Sequence, residues 1–271
     1  MIKWRPMMPY LDQKAISKLQ QRVAHVQLPM DHFTHEITNR LLERLDFMRI
    51  KPEKIVNYGW HSAYAELQLK NRYPEAIVKN TPDLKVISDC HDCSIDLVIA
   101  NFSLLRERDP VYLLHEFSRV LKEEGLLLFT TLGPDTFIEL RRSFLQVDRH
   151  HHVHPFVDMH DIGDWMKQLH FSDPVVDREE IILAYDNINS IFTDLKEMGA
   201  TNVHEFRQRG LLSKNKWKTM LSHYEKYKKD DYFPVTLEII YGQGWKVKWD
   251  QGADGLEKEI AISVDSIMKR I

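Results

Sequence analysis

The sequence predicts an α/β protein with a mostly parallel sheet and helices on both of its faces. Between residues 54 and 133, short apolar runs alternate with helical segments of amphipathic spacing. Strands that alternate with helices favour parallel pairing, because a parallel connection needs the length of a crossover helix. The run LLLFTTLG at 126–133 is apolar almost throughout, as in a strand that is covered on both faces.

Two helices are predicted ahead of the sheet, in the N-terminal segment 10–49. In the second of them, Phe33, Ile37 and Leu41 recur at the spacing of one helical face. Such an apolar stripe has to pack against the rest of the protein.

The sheet core is predicted over residues 54–133. We expect its strands in the runs KIVNYG, AIVKN, DLKVISD, SIDLVIANFSLL and LLLFTTLG. The helix that precedes the last of these strands is expected to begin at Asp109, a helix-capping residue, and to stop at Gly125.

The C-terminal half, 134–249, has a different pattern. Helical segments predominate, and the run FPVTLEIIYGQGWKVKW is predicted to close the sheet as an antiparallel strand. Some of the helices are expected to form a cap. No linker-like or low-complexity stretch divides the chain, so residues 1–271 are interpreted as one domain with insertions.

Composition excludes several classes of protein. The 271 residues carry a net charge of -3, which gives no bulk electrostatic attraction for nucleic acid. Two cysteines in a chain of this length fit a protein without a disulfide framework. No segment has the apolar length of a signal peptide or a membrane span. We therefore expect a cytoplasmic protein with neither nucleic acid nor membrane as partner.

Four blocks in the C-terminal half point to a known family. They read TLGPDTFIELRRSFLQVD, HVHPFVDMHDIGDWM, DLKEMGATNVHEFRQRGLLSKNKW and FPVTLEIIYGQGWK. In this order and spacing they resemble the malonyl-acyl carrier protein O-methyltransferases of biotin synthesis. They are also similar to the related branch that includes the mitochondrial complex I assembly hydroxylase. The resemblance runs from about Arg22 to Lys246 and is most specific from Asp96 onward.

This resemblance implies a Rossmann-like class I methyltransferase fold with a mostly parallel seven-stranded sheet and a helical lid insertion. It implies that S-adenosylmethionine is the cofactor and that it binds over the carboxyl ends of the strands. It also implies methylation of the free carboxyl group of a malonyl thioester. The partner is then malonyl-acyl carrier protein or malonyl-coenzyme A.

On the methyl-donor side, the resemblance assigns cofactor contacts to Gly59, Asp89 and Asn101. Gly59 opens the loop after the first strand, where a glycine lets the backbone approach a ligand. Both residues also have an interpretation without a ligand. Gly59 is then a turn glycine, and Asp89 is then a solvated acid at the end of a strand. Asn57 stands where the family has an acid, and His61 stands where it has a second glycine.

Two further places depart from the family pattern. The second strand ends in Lys79 and Asn80, where the family has an acid for the ribose hydroxyls, and the nearest acid is Asp83. Gln27 stands in the place of an active-site tyrosine. The departures therefore concern the donor side and the entry helix, whereas the four C-terminal blocks keep the family pattern.

On the acceptor side, the resemblance assigns catalytic roles to His154 and Arg207. His154 would orient the methyl-accepting carboxylate, and an arginine fork matches a carboxylate in bidentate fashion. Arg209 is the neighbouring candidate for the arginine. A solvent-facing loop arginine is the alternative interpretation of this segment.

Three other groups of side chains carry chemistry in principle. Histidines 150, 151, 152, 154 and 160 are dense enough to chelate a metal, but most belong to a family block, and no metal site is predicted. Cys90 and Cys93 are interpreted as unpaired loop cysteines, because no second pair completes a zinc site. The lysines of SKNKWKTMLSHYEKYKK form either a surface for an acidic carrier protein or an ordinary solvated helix face.

Three functions stay open at this point. The first is a malonyl-thioester O-methyltransferase with an altered donor loop. The second is a non-catalytic pseudo-methyltransferase, a pseudoenzyme that acts as a binding or regulatory partner, for example of an active paralogue. The third is a protein-modifying activity on the same scaffold. Fold analogy alone does not choose among them.

Overall fold

The computed structural model of the protein describes residues 11–23, 26, 28–29, 32–60, 62–107, 109–197 and 199–247. The expectations for Gln27 and His61 lie outside these residues. None of the described helices is long and apolar enough to cross a membrane.

The described strands form one mixed sheet of six strands. They are β1 Lys54–Tyr58, β2 Ile77–Thr81, β3 Ile95–Ala100, β4 Leu121–Leu132, β5 Phe171–Tyr185 and β6 Phe233–Lys246. Their order is β2-β1-β3-β4-β6-β5. The first four are mutually parallel, and β6 is antiparallel to both β4 and β5. The predicted α/β class and the antiparallel closing strand are thus confirmed.

Helices cover both faces of this sheet. They are α1 Gln13–Val23, α2 Phe33–Glu43, α3 Ala63–Arg72, α4 Leu84–Ser88, α5 Pro110–Val120, α6 Ile138–Leu145, α7 Met159–Gln168, α8 Ile188–Glu197 and α9 Lys214–Tyr224. Short 3₁₀ turns occupy Arg44–Phe47, Leu104–Arg106 and Glu225–Tyr227. The two predicted N-terminal helices and the helices predicted after residue 134 are all present.

Strand β4 shows why the sheet is buried on both sides. Successive strand residues point to opposite faces. Leu126 and Leu128 join one apolar cluster, to which α2, α3, α6, α8 and α9 contribute. Leu127 and Phe129 join the other, with α4, α5 and α7. All four side chains are fully buried, which confirms the interpretation of the run LLLFTTLG.

The segment DLKVISD is a helix, so its prediction as a strand is wrong, and with it the expected seventh strand is missing from the described sheet. Asp83 caps the helix, since its carboxylate accepts the backbone N–H of Lys85 at 2.9 Å. Leu84 and Ile87 lie three residues apart, and Ile87 is fully buried against the core. In so short an apolar run, helical and strand spacing are hard to tell apart.

Helix α5 begins as predicted but ends earlier than predicted. Asp109 accepts the backbone N–H of Tyr112 at 2.9 Å, which confirms the cap. The helix ends at Val120 and not at Gly125, because the chain is already needed for the sheet. Ile95 pairs with Leu121 and Leu97 with Leu126, so the residues between the two partners bulge out of β4.

The helices after residue 134 contribute side chains to the two apolar clusters on the faces of the sheet. In α9, Met220 and Tyr224 are buried in the core, and the Tyr224 hydroxyl donates to the carbonyl of Pro234 at 2.7 Å. Helix α1 behaves differently. Its apolar face packs in a small separate cluster that includes Leu19 and Val203. The helix that closes over the strand ends is therefore α1.

Candidate functional site

A cavity of about 1030 Å³ lies at the carboxyl ends of β1 and β2. Its walls come from the loops after β1, β2 and β3 and from one side of α1. We call it the methyl-donor cavity, after the cofactor position that the resemblance leads us to expect. Strand β2 lies on one side of β1 and β3 lies on the other. In open α/β sheets, ligands bind where the strand order reverses in this way.

Gly59 lies in the wall of this cavity and has a conformation that favours glycine. Its φ is +143°, and a Cβ built there would come within 2.8 Å of the backbone oxygen of Asn101. Its N–H donates to the carbonyl of Thr81 at 3.0 Å. The close approach of the β1 and β3 ends explains the glycine by itself, which is the turn interpretation.

Asn57 uses its amide to hold the loop after β1. Its side chain is 1% exposed. The Nδ2 group donates to the carbonyl of Ser62 at 2.9 Å and to Oδ1 of Asn80 at 2.8 Å. A carboxylate has no N–H with which to do this. The amide at this position therefore matches a loop that folds back onto its own strand.

An acid and an apolar side chain follow β2 in the cavity wall. Asp83 and Leu84 both line the cavity, and Pro82 lies beside them. Asp83 uses Oδ1 to cap α4 and is solvent-exposed, so its carboxylate keeps further acceptor capacity. In the sequence it is only the nearest acid to the second strand. In the structure, Asp83 is an acid in the wall of the methyl-donor cavity.

Glu107 supplies a second acid to the wall, and sequence reasoning missed it. The Tyr58 hydroxyl donates to Oε1 of Glu107 at 3.0 Å. Tyr58 is 2% exposed and packs edge-on against Phe117. Burial, and then the negative charge of Glu107, raise the pKa of Tyr58 far above its usual value, so it stays a donor. The signal in the sequence is a tyrosine at the end of β1 and an acid shortly after β3.

Asp89 does not lie at this cavity, and its expected position at a strand end is wrong. It is the C-terminal cap of α4 and is exposed. Just after it, the N–H groups of Cys93 and Ser94 bond the end of α5, immediately before β3 begins. Because α4 turns the chain back, Asp89 lies toward the amino end of the parallel strands, opposite the cavity.

Asn101 follows β3 as predicted, but its side chain is bonded within the protein. Its amide donates to Oγ1 of Thr38 at 2.7 Å, and its carbonyl oxygen accepts from the hydroxyl of Thr130. These bonds join α2 to β3 and β4. Asn101 therefore fixes the end of β3 against which Gly59 packs, and its direct contact with a cofactor stays a prediction.

His154 lies in a separate small pocket. It is 5% exposed, and its ring meets Phe156 edge-on at 5.4 Å. Leu19 of α1, Leu105 and Val203 complete the walls. The histidine thus lies between Leu19 of α1 and Leu105, which belongs to the apolar cluster on one face of the sheet. Its role toward a carboxylate stays a prediction.

Arg207 is bound to α1. Its Nη2 donates to Oδ2 of Asp12 at 3.0 Å, and its Nη1 donates to the carbonyl of His204 at 2.8 Å. Arg209 lies further out, with 3.8 Å to the same Asp12 oxygen. The backbone N–H of Ala15 and the Arg207 guanidinium hold the pKa of Asp12 below its usual value. Among the described residues, two of the five donors of Arg207 are used in this way, which leaves donors for an anion.

The histidine cluster is divided among several local roles. Asp148, His150 and His152 bring one ligand atom each within 4.8 Å of one another. The Lys216 ammonium already lies 2.7 Å from Asp148, and His152 stacks on Phe144 at 4.1 Å. Burial alone would raise the pKa of Asp148, but bonds from Lys216 and from His150 hold it well below its usual range.

The remaining histidines and the cysteines have contacts elsewhere. His160 is exposed and bonds the Asp158 carboxylate at 2.7 Å, beside the cap of α7. The Cys90 thiol donates to the carbonyl of Val86, and Cys93 accepts from Lys246. Both cysteines are free thiols. None of these contacts reaches the methyl-donor cavity.

Fold and site together define the class of protein. A parallel β2-β1-β3-β4 sheet, an antiparallel closing strand and a cavity over the strand ends are the architecture of a Rossmann-like class I methyltransferase. The chain is 38% identical to malonyl-[acyl-carrier protein] O-methyltransferase 1 of Coxiella burnetii, over 96% of this chain and 97% of that one. It is 33% identical to the corresponding protein of Gallionella capsiferriformans, over 87% and 91% of the two chains. The chain belongs to the malonyl-[acyl-carrier protein] O-methyltransferase family.

Solved structures are similar to a lower degree. The YcgJ protein of Bacillus subtilis matches with a TM-score of 0.49 and 12% identity, over 78% of this chain and 99% of that one. A phosphoethanolamine N-methyltransferase of Haemonchus contortus in complex with S-adenosyl-L-methionine matches with a TM-score of 0.46 and 14% identity, over 88% and 58%. No protein-family model matches the chain.

Proposed function

We propose that this protein transfers a methyl group from S-adenosylmethionine to the free carboxyl group of a malonyl thioester on an acyl carrier protein. The names of its relatives supply the reaction. The observation in this chain that carries the proposal is the methyl-donor cavity, which lies at the strand ends and is bordered by Gly59 and Asp83. Malonyl-coenzyme A is the alternative acceptor. The cytoplasm is the proposed compartment, in keeping with two free cysteines.

The cavity fits the cofactor in size and chemistry. Ligand pockets usually span about 300–1,000 Å³, and the cavity reaches about 1030 Å³. Gly59 lines the cavity with backbone alone, which favours the close approach of a ligand. Asp83 offers a carboxylate to ribose hydroxyls, Leu84 offers an apolar surface to a purine, and Glu107 offers a second acceptor. S-adenosylmethionine supplies an electrophilic methyl group when bound.

The protein has to position the acceptor but has little proton chemistry to perform. A carboxylate is ionised at neutral pH, so the acceptor needs no general base. Catalysis then rests on holding two groups close and aligned in a site without excess water. Helix α1 closes the cavity. We assign the orientation of the acceptor to His154 and the position of α1 to Arg207, through Asp12.

The first experiment compares Asp89, the acid expected at the cofactor from the sequence, with Asp83, the acid found at the cavity in the structure. Asp83→Asn removes the charge but keeps the cap, because asparagine also caps helices well. We expect binding of S-adenosylhomocysteine, measured by calorimetry, to weaken about tenfold, the loss of one charged hydrogen bond. Asp89→Asn is the matched control and should bind like the natural protein. Equal affinities of all three proteins would place the cofactor elsewhere.

Methyl transfer is tested directly. Purified protein, malonyl-acyl carrier protein and radiolabelled S-adenosylmethionine should yield a labelled methyl ester that mild base releases as methanol. Carrier with an acetyl group, which has no free carboxyl, is the control and should stay unlabelled. A protein that binds the cofactor product but labels no malonyl carrier or malonyl-coenzyme A would contradict the proposed reaction.

A second function is favoured by one observation, the self-contained loop after β1. The Asn57 amide ties this loop to Ser62, and Gly59 is its one described glycine. The second candidate is a pseudoenzyme that keeps the fold and binds an active paralogue without cofactor. It requires that S-adenosylhomocysteine does not bind at millimolar concentration. Detectable heat of binding would rule it out in this form.

A further inference from the structure

Helix α1 has a second face that lines a second cleft. Lys14, Lys18 and Arg22 lie four residues apart along the helix, so their side chains share one face. Together with Arg207 they border a cleft of about 330 Å³ between α1 and the segment 201–203. We call it the cationic cleft.

The cationic cleft carries a clear excess of positive charge. Four of its lining residues are basic and one, Asp12, is acidic, which leaves a formal charge of 4 − 1 = +3. Asp12 is already bonded by Ala15 and Arg207. Within the described part of the chain, Lys14, Lys18 and Arg22 pair with no carboxylate. Uncompensated cations that converge on a concave surface attract an anion.

The cationic cleft adjoins the pocket of His154, on the proposed acceptor side of the protein. Leu19, Thr201 and Val203 line both this cleft and the pocket of His154. The opposite side of α1, with Gln13 and Gln20, lines the methyl-donor cavity. The cationic cleft and the methyl-donor cavity are therefore separated by roughly one helix diameter, about 10 Å. Apolar side chains of α1, among them Leu19, lie between the cleft and the cavity.

We propose that the cationic cleft binds the phosphodiester of the phosphopantetheine arm that carries the malonyl thioester. The inference rests on the proposed function and adds the site at which the carrier's arm is held. The diester is an anion at neutral pH. Arg207 presents oriented N–H groups, and the lysines present point charges. The uncharged part of the arm then follows Leu19 and Val203 toward His154, and an extended arm is long enough to cross α1.

Acyl carrier protein and coenzyme A both present this phosphodiester, whereas a malonyl thioester of N-acetylcysteamine has none. The test variant is K14E/K18E/R22E. The matched control is K51E/K54E/K167E, three charge reversals at exposed lysines before β1, at its start and in α7. Both variants are first checked for natural thermal stability. A milder variant, K14Q/K18Q/R22Q, stands in if the reversal does not fold.

We expect KM for malonyl-acyl carrier protein and for malonyl-coenzyme A to rise about tenfold or more in the α1 variant, the loss of at least one charge-assisted contact. The phosphate-free thioester should keep its kcat/KM, and the control K51E/K54E/K167E should keep all three values. Equal losses with the phosphate-free thioester would overturn the proposal. So would a loss confined to the carrier protein, which indicates a protein surface, or a loss confined to the control variant.

A binding measurement decides the question without catalysis. Fluorescence anisotropy compares labelled carrier with its phosphopantetheine arm and the same carrier without it. The natural protein should bind the carrier with its arm more tightly, and the α1 variant should lose that preference. Absence of methyl transfer would overturn the proposed function but not this preference. A natural protein that binds the two carriers equally would overturn the cleft assignment.

Discussion

The two sides of the methyl-donor cavity are built in different ways. On the sheet side, the loop after β1 is fixed by a partly buried network that starts at the buried Asn57 and by the contact of Gly59 with Asn101. On the α1 side, a small apolar cluster that includes Leu19 is supported by the Asp12–Arg207 ion pair. The first side belongs to the main core, and the second is a satellite of it.

This difference teaches where the site can open. A ligand as large as a nucleoside cofactor needs a way in, and segments with few buried contacts open at the lowest free energy. Exposed ion pairs add little to that free energy. We therefore expect the sheet side to keep its shape and α1 to move during entry and release. Stability should depend strongly on the sheet side, and ligand exchange on α1.

The strongest test of the rigid side is Gly59→Ala. The new Cβ meets a backbone oxygen at 2.8 Å in a conformation that side chains rarely adopt. We expect the free energy of unfolding to fall by about 3 kcal/mol, as for other substitutions at strained backbone positions. Urea denaturation measures the change.

Gly210→Ala is the matched control for this substitution. Nothing lies within 4 Å of a Cβ at Gly210, so its effect should stay within about 0.5 kcal/mol. Equal stability of the two alanine variants would mean that the β1 and β3 ends are not held as close as described. The sheet side would then be no more rigid than α1.

A second test, Asn57→Asp, changes the polar network at constant size. The new carboxylate faces the Ser62 carbonyl and the Asn80 oxygen in a site that is 1% exposed. We expect a loss of about 2–3 kcal/mol at neutral pH, because a buried charge then faces two acceptors. Asn215→Asp on the exposed face of α9 is the control and should change stability little.

The pH dependence of this variant has a definite sign. The protonated carboxyl can donate to one of the two oxygens, so its pKa rises in the folded state. A group whose pKa is raised by folding stabilises the folded protein at pH values below its unfolded pKa, which is about 3.9 for aspartate. This stabilisation is lost as the pH rises through the folded pKa. The variant should therefore be closest to the natural protein in acid. A constant difference from pH 4 to pH 8 would contradict the network.

The sequence was a good guide to the sheet side, because its signals are local. The apolar run 126–133 and the cap at Asp109 depend on spacing and on one side chain, and both predictions are confirmed. The segment 84–88 was predicted wrongly, since five residues are too few to distinguish a helical period from a strand period. Because this segment was predicted as a strand, Asp89 was expected at the end of a strand, and Asp83 was not recognised as a residue of the cavity wall.

The α1 side could be predicted only in part. The helix itself follows from its apolar spacing, but its partner, Val203, lies far away in the chain. The ion pair between Asp12 and Arg207 spans the same distance and has no local pattern. The resemblance assigned Arg207 to the substrate, which stays a prediction, and the structure adds its bond to Asp12 at the start of α1.

A weaker test of the sheet side removes one hydroxyl at the cavity wall. Tyr58→Phe deletes the bond to Glu107, and we expect a loss of about 1 kcal/mol, the usual net value for one hydrogen bond. Glu107 should also lose its orientation, so affinity for S-adenosylhomocysteine should fall. Tyr112→Phe, at an exposed ring, is the control and should change neither quantity. A change in stability without a change in affinity would separate Glu107 from the cofactor.

The smallest effect on global stability is expected for Asp12→Asn, which tests the α1 side. Because the pKa of Asp12 is lowered by the Ala15 N–H and by Arg207, its contribution is present above the unfolded value of 3.8 and is lost as the pH falls through the folded pKa. The small difference in melting temperature from the natural protein should thus be largest at neutral pH and should vanish in acid. Hydrogen exchange should quicken in α1 while β4 keeps its protection. If β4 loses protection as well, α1 belongs to the main core, and the two sides of the cavity do not differ as proposed.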